Sequence, residues 1–308
     1  MRCFECCSDL KRRACLYVLL AIFAAIILFA VFFSNSPTEE VFQVSDCGVL
    51  SIEGRMPVDY VEHLVEDNTA YTLSEIDLHA NDGAVISALF RVPKTEEQLC
   101  GAVILPGATV SKEGGQHLAG ELAEIGYASI ALDQRNLCVI DFEKDYQLFA
   151  SGDVPVEYLM LSDALHAADF LITQPGVNAR KIIIIGESNG GRIAIIAAAM
   201  HPEIRMVIGI STSGYSTGEQ IPKNAPDNVR KFYYSIDPDT YLPLLPPKKL
   251  VLMHANNDLI IPLELAERTY QRAGEPKAFH VVSGDAHGYS NQMHPVLKKE
   301  LLSFRKAR

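Results

Sequence analysis

The sequence predicts an α/β domain, a mostly parallel sheet flanked by helices, preceded by one transmembrane helix. Three observations carry this. From about residue 69 onward, short runs rich in Ile, Val and Leu alternate with helix-length segments, the pattern of a sheet covered on both faces. Asp133, Ser188, Asp258 and His287 stand at the ends of such runs, where open parallel sheets bind their ligands. Residues 14–33, ACLYVLLAIFAAIILFAVFF, carry no charge and are long enough to cross about 30 Å of hydrocarbon as a helix.

Lys11, Arg12 and Arg13 precede the apolar segment, and Glu39 and Glu40 follow it. The positive-inside rule then expects residues 1–13 in the cytoplasm and the bulk of the chain on the extracytoplasmic side. A cleaved signal peptide has the same charge order, but Ser34-Asn35-Ser36-Pro37 offers no A-x-A site, so an uncleaved signal anchor is expected. Residues 34–68 are frequent in Pro, Ser, Asp and Glu with weak periodicity and read as a linker. The globular domain is expected over residues 69–308.

The chain has 308 residues, 48% hydrophobic and 21% charged, with a net charge of −11. That suits a folded protein and argues against a nucleic-acid partner, which needs a basic face. The seven cysteines are too sparse for a disulfide framework, although a bridge between Cys100 and Cys138 stays open outside the cytoplasm. Cys3, Cys6 and Cys7 lack a second Cys or His pair nearby, so no metal site is expected. Plain thiols are the simplest reading of this cluster, with acylation beside the membrane as the alternative.

Along the domain, YTLSEIDLHA and AVISALFRV flank Asn81-Asp82-Gly83, a hairpin signal. GAVILPG follows as a buried strand, then a helix around GGQHLAGELAEIG, then the strand YASIALDQRN. Residues 155–173 form an amphipathic helix with Leu159, Leu161, Ala164, Leu165, Ala168 and Leu171 supplying most of its apolar face. KIIIIGES, RMVIGIST, KKLVLMHANND and KAFHVVSGDAH are strands; NGGRIAIIAAAM, PLELAERTYQRAG and PVLKKELLSFRKA are helices. Residues 213–247 break the alternation, being polar and aromatic with six prolines, and read as a cap inserted between two strands.

In Gly186-Glu187-Ser188-Asn189-Gly190 a serine stands between glycines where a buried strand runs into a helix. This is the pattern of a nucleophile elbow: the turn is too tight for neighbouring Cβ atoms and pushes the hydroxyl out above the sheet. It also puts the Asn189 N–H at a helix start, aimed at a developing oxyanion. The same glycines suit plain strand–helix packing, so the partners decide. A serine needs a base, and His287 follows the last strand run; the base needs an acid, and Asp258 follows the preceding one. Taken alone, Asp258 fits a helix cap and His287 a loop histidine, with Asp285 as a rival acid. The chain order Ser188, Asp258, His287 favours the triad. The second oxyanion donor is expected at the Ala108 backbone N–H, after Pro106-Gly107. Arg135 and Arg192 are candidates for a substrate carboxylate, with local salt bridges the plainer role.

LPGAT, ALDQRN, GESNGG, HANNDLIIP and GDAHGY together resemble the α/β-hydrolase superfamily in its serine-hydrolase branch. The block PPKKLVLMHANNDLIIPLELAERTYQRAGEPKAFHVV is similar to dienelactone-hydrolase-like and prolyl-oligopeptidase-like members. The resemblance implies an eight-stranded sheet, a triad of Ser188, Asp258 and His287, and no cofactor. Two departures, Ala255 in place of a glycine and Leu105-Pro106-Gly107 in place of His-Gly, leave the catalytic groups intact and the substrate class open. A carboxylic ester or related acyl compound is the expected substrate. Amides, short peptides (a peptidase of the same fold), thioesters and a catalytically silent membrane-anchored binding module are the alternatives.

Overall fold

The computed structural model describes residues 40–307. The anchor expected at residues 14–33 lies outside the described residues. Among the described residues no helix is long and apolar enough to cross a membrane.

The strands are β1 (Val41–Val44), β2 (Leu50–Glu53), β3 (Tyr60–Asp67), β4 (Tyr71–His79), β5 (Val85–Pro93) and β6 (Leu99–Leu105). They continue with β7 (Tyr127–Leu132), β8 (Val177–Glu187), β9 (Ile204–Ile210), β10 (Lys249–Ala255) and β11 (Lys277–Val282). The helices are α1 (Gln116–Glu124), α2 (Phe142–Ser151), α3 (Val156–Thr173), α4 (Asn189–Met200) and α5 (Thr217–Gln220). After these come α6 (Asp227–Ser235), α7 (Pro238–Tyr241), α8 (Leu263–Arg272) and α9 (His294–Lys306).

β1 and β2 form a separate antiparallel hairpin, and the other strands form one sheet in the order β11-β10-β9-β8-β6-β7-β5-β4-β3. The run from β6 to β11 is parallel, and β3, β4 and β5 are antiparallel. The order reverses at β8-β6-β7, which opens a crevice at the carboxyl ends of β6 and β8. The sheet thus has nine strands where eight are expected. The ninth is β3, inside the segment read as a linker. Its sequence, YVEHLVED, is exposed along nearly its whole length, so it carries no buried stripe for periodicity to detect. As an edge strand it is protected by Glu62, Glu66 and Asp67 and by a bulge between Leu64 and Glu66.

The four isoleucines of β8 show how the core divides. Ile182 and Ile184 join the cluster on one face, with α3 and α4; Ile183 and Ile185 join the other, with α1 and α9. That alternation is the period-two geometry of a strand covered on both sides. The helix expected at residues 155–173 is present as α3, yet it is buried around most of its circumference rather than on one face. Phe42 of β1 stacks on Tyr158, and the Ser162 hydroxyl donates to Glu40, 2.6 Å away. The N-terminal hairpin therefore covers the side of α3 turned away from the sheet. Residues 213–247 hold α5, α6, α7 and a 3-10 turn between β9 and β10, a helical insertion at the expected position. Cys100 and Cys138 are both buried free thiols, so the bridge left open between them is not formed.

Candidate active site

β8 ends at Glu187, and Ser188 begins α4 with φ 51° and ψ −119°, a region that costs a non-glycine residue free energy. The turn is held from three sides. The Ser188 N–H donates to the Ile210 carbonyl at the end of β9 (2.9 Å). The Ser188 carbonyl accepts from the Gly191 and Arg192 N–H groups (3.0 and 3.2 Å) and from Thr212 Oγ1 (2.7 Å). The flanking glycines are required by close approach. A Cβ at Gly186 would lie 2.2 Å from the Gly190 carbonyl oxygen, and one at Gly190 would lie 2.2 Å from that of Leu105. Gly190→Ala is therefore expected to lose at least about 3 kcal/mol of stability, the upper range for overpacking. Urea unfolding reads this out, and wild-type stability would mean that α4 does not start against the end of β6.

The end of β6 reaches the same place. A Cβ at Gly107 would lie 3.3 Å from Ser188 Cβ, so Ala108 follows directly on a residue in contact with the elbow. Among the described residues, neither the Ala108 N–H nor the Asn189 N–H donates to a protein acceptor. Free donors flanking one hydroxyl are what an oxyanion requires.

Asp258 sits on the turn after β10 and His287 on the turn after β11. His287 Nδ1 lies 2.9 Å from Asp258 Oδ2 and 3.1 Å from Oδ1. Asp258 Oδ1 also accepts from the N–H groups of Ile260 (2.9 Å) and Ile261 (3.1 Å). Beside it, the buried His254 hydrogen-bonds the Ile261 carbonyl through Nε2 (2.7 Å). Burial pushes the Asp258 pKa up, but the hydrogen bonds from His287, Ile261 and Ile260 outweigh it and hold the carboxyl below its ordinary value. The His287 turn is tied to the elbow, because the Tyr289 N–H donates to Glu187 Oε2 (2.9 Å). Asp285, the rival acid, is exposed and makes no hydrogen bond to His287 among the described residues.

The other polar residues noted in the sequence are occupied. Asp133 accepts from the Lys112 backbone N–H (2.7 Å) and Nζ (3.0 Å). Arg135 pairs with Asp82 (2.5 Å) and Asp163 (2.6 Å). Arg192 departs from the salt bridge expected of it. Its Nε donates to the Ser213 carbonyl (3.0 Å), its Nη1 to Asn189 Oδ1 (2.6 Å), and its guanidinium lies 4.1 Å from the Tyr215 ring centroid.

A family profile described as alpha/beta hydrolase fold matches residues 103–246. The chain has the α/β hydrolase fold. Among solved structures it is similar to the acetyl xylan esterase from Paenibacillus sp. R4, with TM-score 0.68 at 16% identity, over 80% of this chain and 89% of that one. It is also similar to a protein from Klebsiella pneumoniae assigned as a dienelactone hydrolase, with TM-score 0.54 at 18% identity, over 81% and 99% of the two chains. Protein YfhR of Escherichia coli O157:H7 is 25% identical over 246 residues, which cover 76% of this chain and 81% of YfhR. β4 to β11 make up the expected number of eight strands, and β3 lies beyond them at the edge of the sheet.

Sequence reasoning did not find Glu157, which is fully buried on α3 with both carboxylate oxygens lacking a hydrogen-bond partner among the described residues. Nor did it find the left-handed turn of residues 136–138 that follows Arg135. The only trace either leaves in the sequence is a charge inside an apolar helix and a polar run after a strand.

Proposed function

We propose that this chain is a serine hydrolase acting on carboxylic esters. The observation that carries the reading is the 2.9 Å pair of His287 and Asp258 on a turn tied to Glu187, the residue before a strained serine. In this reading Ser188 attacks the ester carbonyl while His287 takes its proton at Nε2, and Asp258 fixes the proton at Nδ1 and stabilises the imidazolium. The Ala108 and Asn189 N–H groups receive the oxyanion. The alkoxide leaves with the proton returned by His287, and water then cleaves the acyl-enzyme by the same steps. Val110, Leu137, Leu259 and Ile260 expose apolar surface on loops that carry or adjoin these groups, which favours an uncharged acyl ester. The named esterase among the similar structures is consistent with ester chemistry. Anchoring by residues 14–33, with the domain on the extracytoplasmic side, belongs to the same proposal and rests on the flanking charges.

The test is reaction of the full chain with a fluorophosphonate, with the adduct located by mass spectrometry beside Ser188→Ala and His287→Ala. Labelling at Ser188 that is lost in both variants, with hydrolysis of a short p-nitrophenyl ester in preference to an aminoacyl amide, is the expected result. A folded wild type that takes no label would sink the proposal in favour of a binding module.

A further inference from the structure

Asn136, Leu137 and Cys138 adopt left-handed backbone in succession, with φ 50°, 46° and 56°. Single non-glycine residues of this kind cost on the order of 1–3 kcal/mol each and persist where surrounding contacts over-determine them. Here those contacts are visible. Arg135, just before the run, is fixed by Asp82 and Asp163. Asn136 Nδ2 donates to the Val139 carbonyl (2.7 Å), and Cys138 is wholly buried.

The carbonyls of this run point to one use. The Leu137 carbonyl accepts the Thr109 N–H at 2.7 Å, next to Ala108. The Cys138 carbonyl accepts Asn189 Nδ2 at 3.2 Å. Gln134, at the start of the loop, donates through Nε2 to the Pro106 carbonyl. Asn189 is held at its other end by Arg192, whose Nη1 donates to Oδ1 at 2.6 Å. One loop thus grips the Pro106–Thr109 segment at two points and the Asn189 side chain at a third. The two backbone donors assigned to the oxyanion belong to the gripped segment and to Asn189 itself.

We propose that the Asn189 side chain, clamped between Arg192 and the Cys138 carbonyl, is a positioning residue that sets the separation of the Ala108 and Asn189 N–H groups. This rests on the serine-hydrolase reading above. The side chain touches no reacting atom; it acts through backbone that does. The strain in residues 136–138 then has a purpose, since consecutive carbonyls turned to opposite partners can bridge β6 and α4 where an ordinary turn would not.

The experiment compares wild type, Asn189→Ala, Arg192→Met and the double variant in the full chain. It reads kcat and KM for a p-nitrophenyl ester, affinity for a trifluoromethyl ketone, and Tm. Misplaced donors cost less than an absent one, so kcat is expected to fall about 10- to 100-fold in Asn189→Ala, with KM within about twofold. Ketone affinity falls by the same factor as kcat, because both read the oxyanion. The double variant loses little beyond Asn189→Ala, because both substitutions break one clamp. A role in folding alone would lower Tm and leave the kcat–ketone correlation absent. The inference is overturned if kcat stays within about threefold of wild type, if the loss falls in KM, or if the two substitutions add. If Asn189→Ala does not fold, Arg192→Met alone decides on the same readouts. An unlabelled, inert wild type removes the hydrolase reading and this inference together, whereas an active wild type with an unchanged Asn189→Ala removes only the inference.

Discussion

In the proposed triad, Asp258→Asn is expected to lower kcat by about four orders of magnitude while leaving the chain folded, because the carboxylate does two separable things. Oδ1 closes the turn by accepting the Ile260 and Ile261 N–H groups, and an asparagine Oδ1 keeps both bonds. Oδ2 faces His287 Nδ1 at 2.9 Å, and there an asparagine presents an N–H. Two donors cannot share that bond, so the imidazole moves its proton to Nε2 and has no lone pair left to accept from Ser188. The charge that would stabilise the imidazolium is lost as well.

The stability cost of the same change is modest, about 1.5–3 kcal/mol for one charge-assisted hydrogen bond. It also depends on pH in a fixed sense. The Asp258 carboxyl is held below its ordinary value of 3.8 in the fold. Its stabilising contribution is therefore fully present above that value and is lost as pH falls through the lower folded one. The wild type and Asp258→Asn should accordingly converge in stability in strong acid and separate above about pH 4. Steady-state kinetics with urea unfolding across pH checks both halves. Activity within tenfold of wild type would reduce Asp258 to the turn cap that its sequence position also fits.

Much of this site was legible in the sequence because each part lies at the end of a strong pattern. Four consecutive isoleucines leave β8 no reading but a strand buried on both faces, so the glycine-flanked Ser188 had to sit at its exit. LVLMHA and the following helix fix Asp258 at the next exit but one in the same way. The elements that were not legible lack such a pattern. β3 buries almost nothing, because its only partner is β4, and an edge strand in water needs no apolar stripe. α2 lies between two loops and buries only Asp145. The loop proposed to hold the oxyanion donors acts through backbone carbonyls, which any residue supplies, and its left-handed geometry falls on Asn-Leu-Cys without a glycine to mark it. Arg192 could be seen beside the elbow, but only the fold shows that its partners are Asn189, Ser213 and the Tyr215 ring rather than a carboxylate.

Glu157→Gln is expected to stabilise the protein at neutral and mildly alkaline pH, against the usual cost of replacing a buried polar residue. Glu157 has no solvent exposure, and neither carboxylate oxygen has a hydrogen-bond partner among the described residues. Burial is the main force raising its pKa well above 4.5; Asp145 and Asp237 push the same way, and Arg192 opposes them. The group is therefore held protonated in the fold over a range where it ionises in the unfolded chain. In that range the native state binds one more proton, so stability falls as pH rises above about 4.5, and the slope ends once pH passes the folded value. The contribution of this one group is about 1.4 kcal/mol per pH unit. Glutamine matches the shape and neutrality of the protonated acid and has no proton to lose. The two proteins should then be nearly equal near pH 4.5, with the advantage of Glu157→Gln growing as pH rises. Other carboxyls with raised pKa, such as the buried Asp163 and the half-buried Glu187, titrate in both proteins and cancel in the difference. Urea unfolding of the pair at several pH values between 5 and 8 measures it. A Glu157→Gln protein that is less stable than wild type at pH 8 would mean that Arg192 holds the carboxylate ionised.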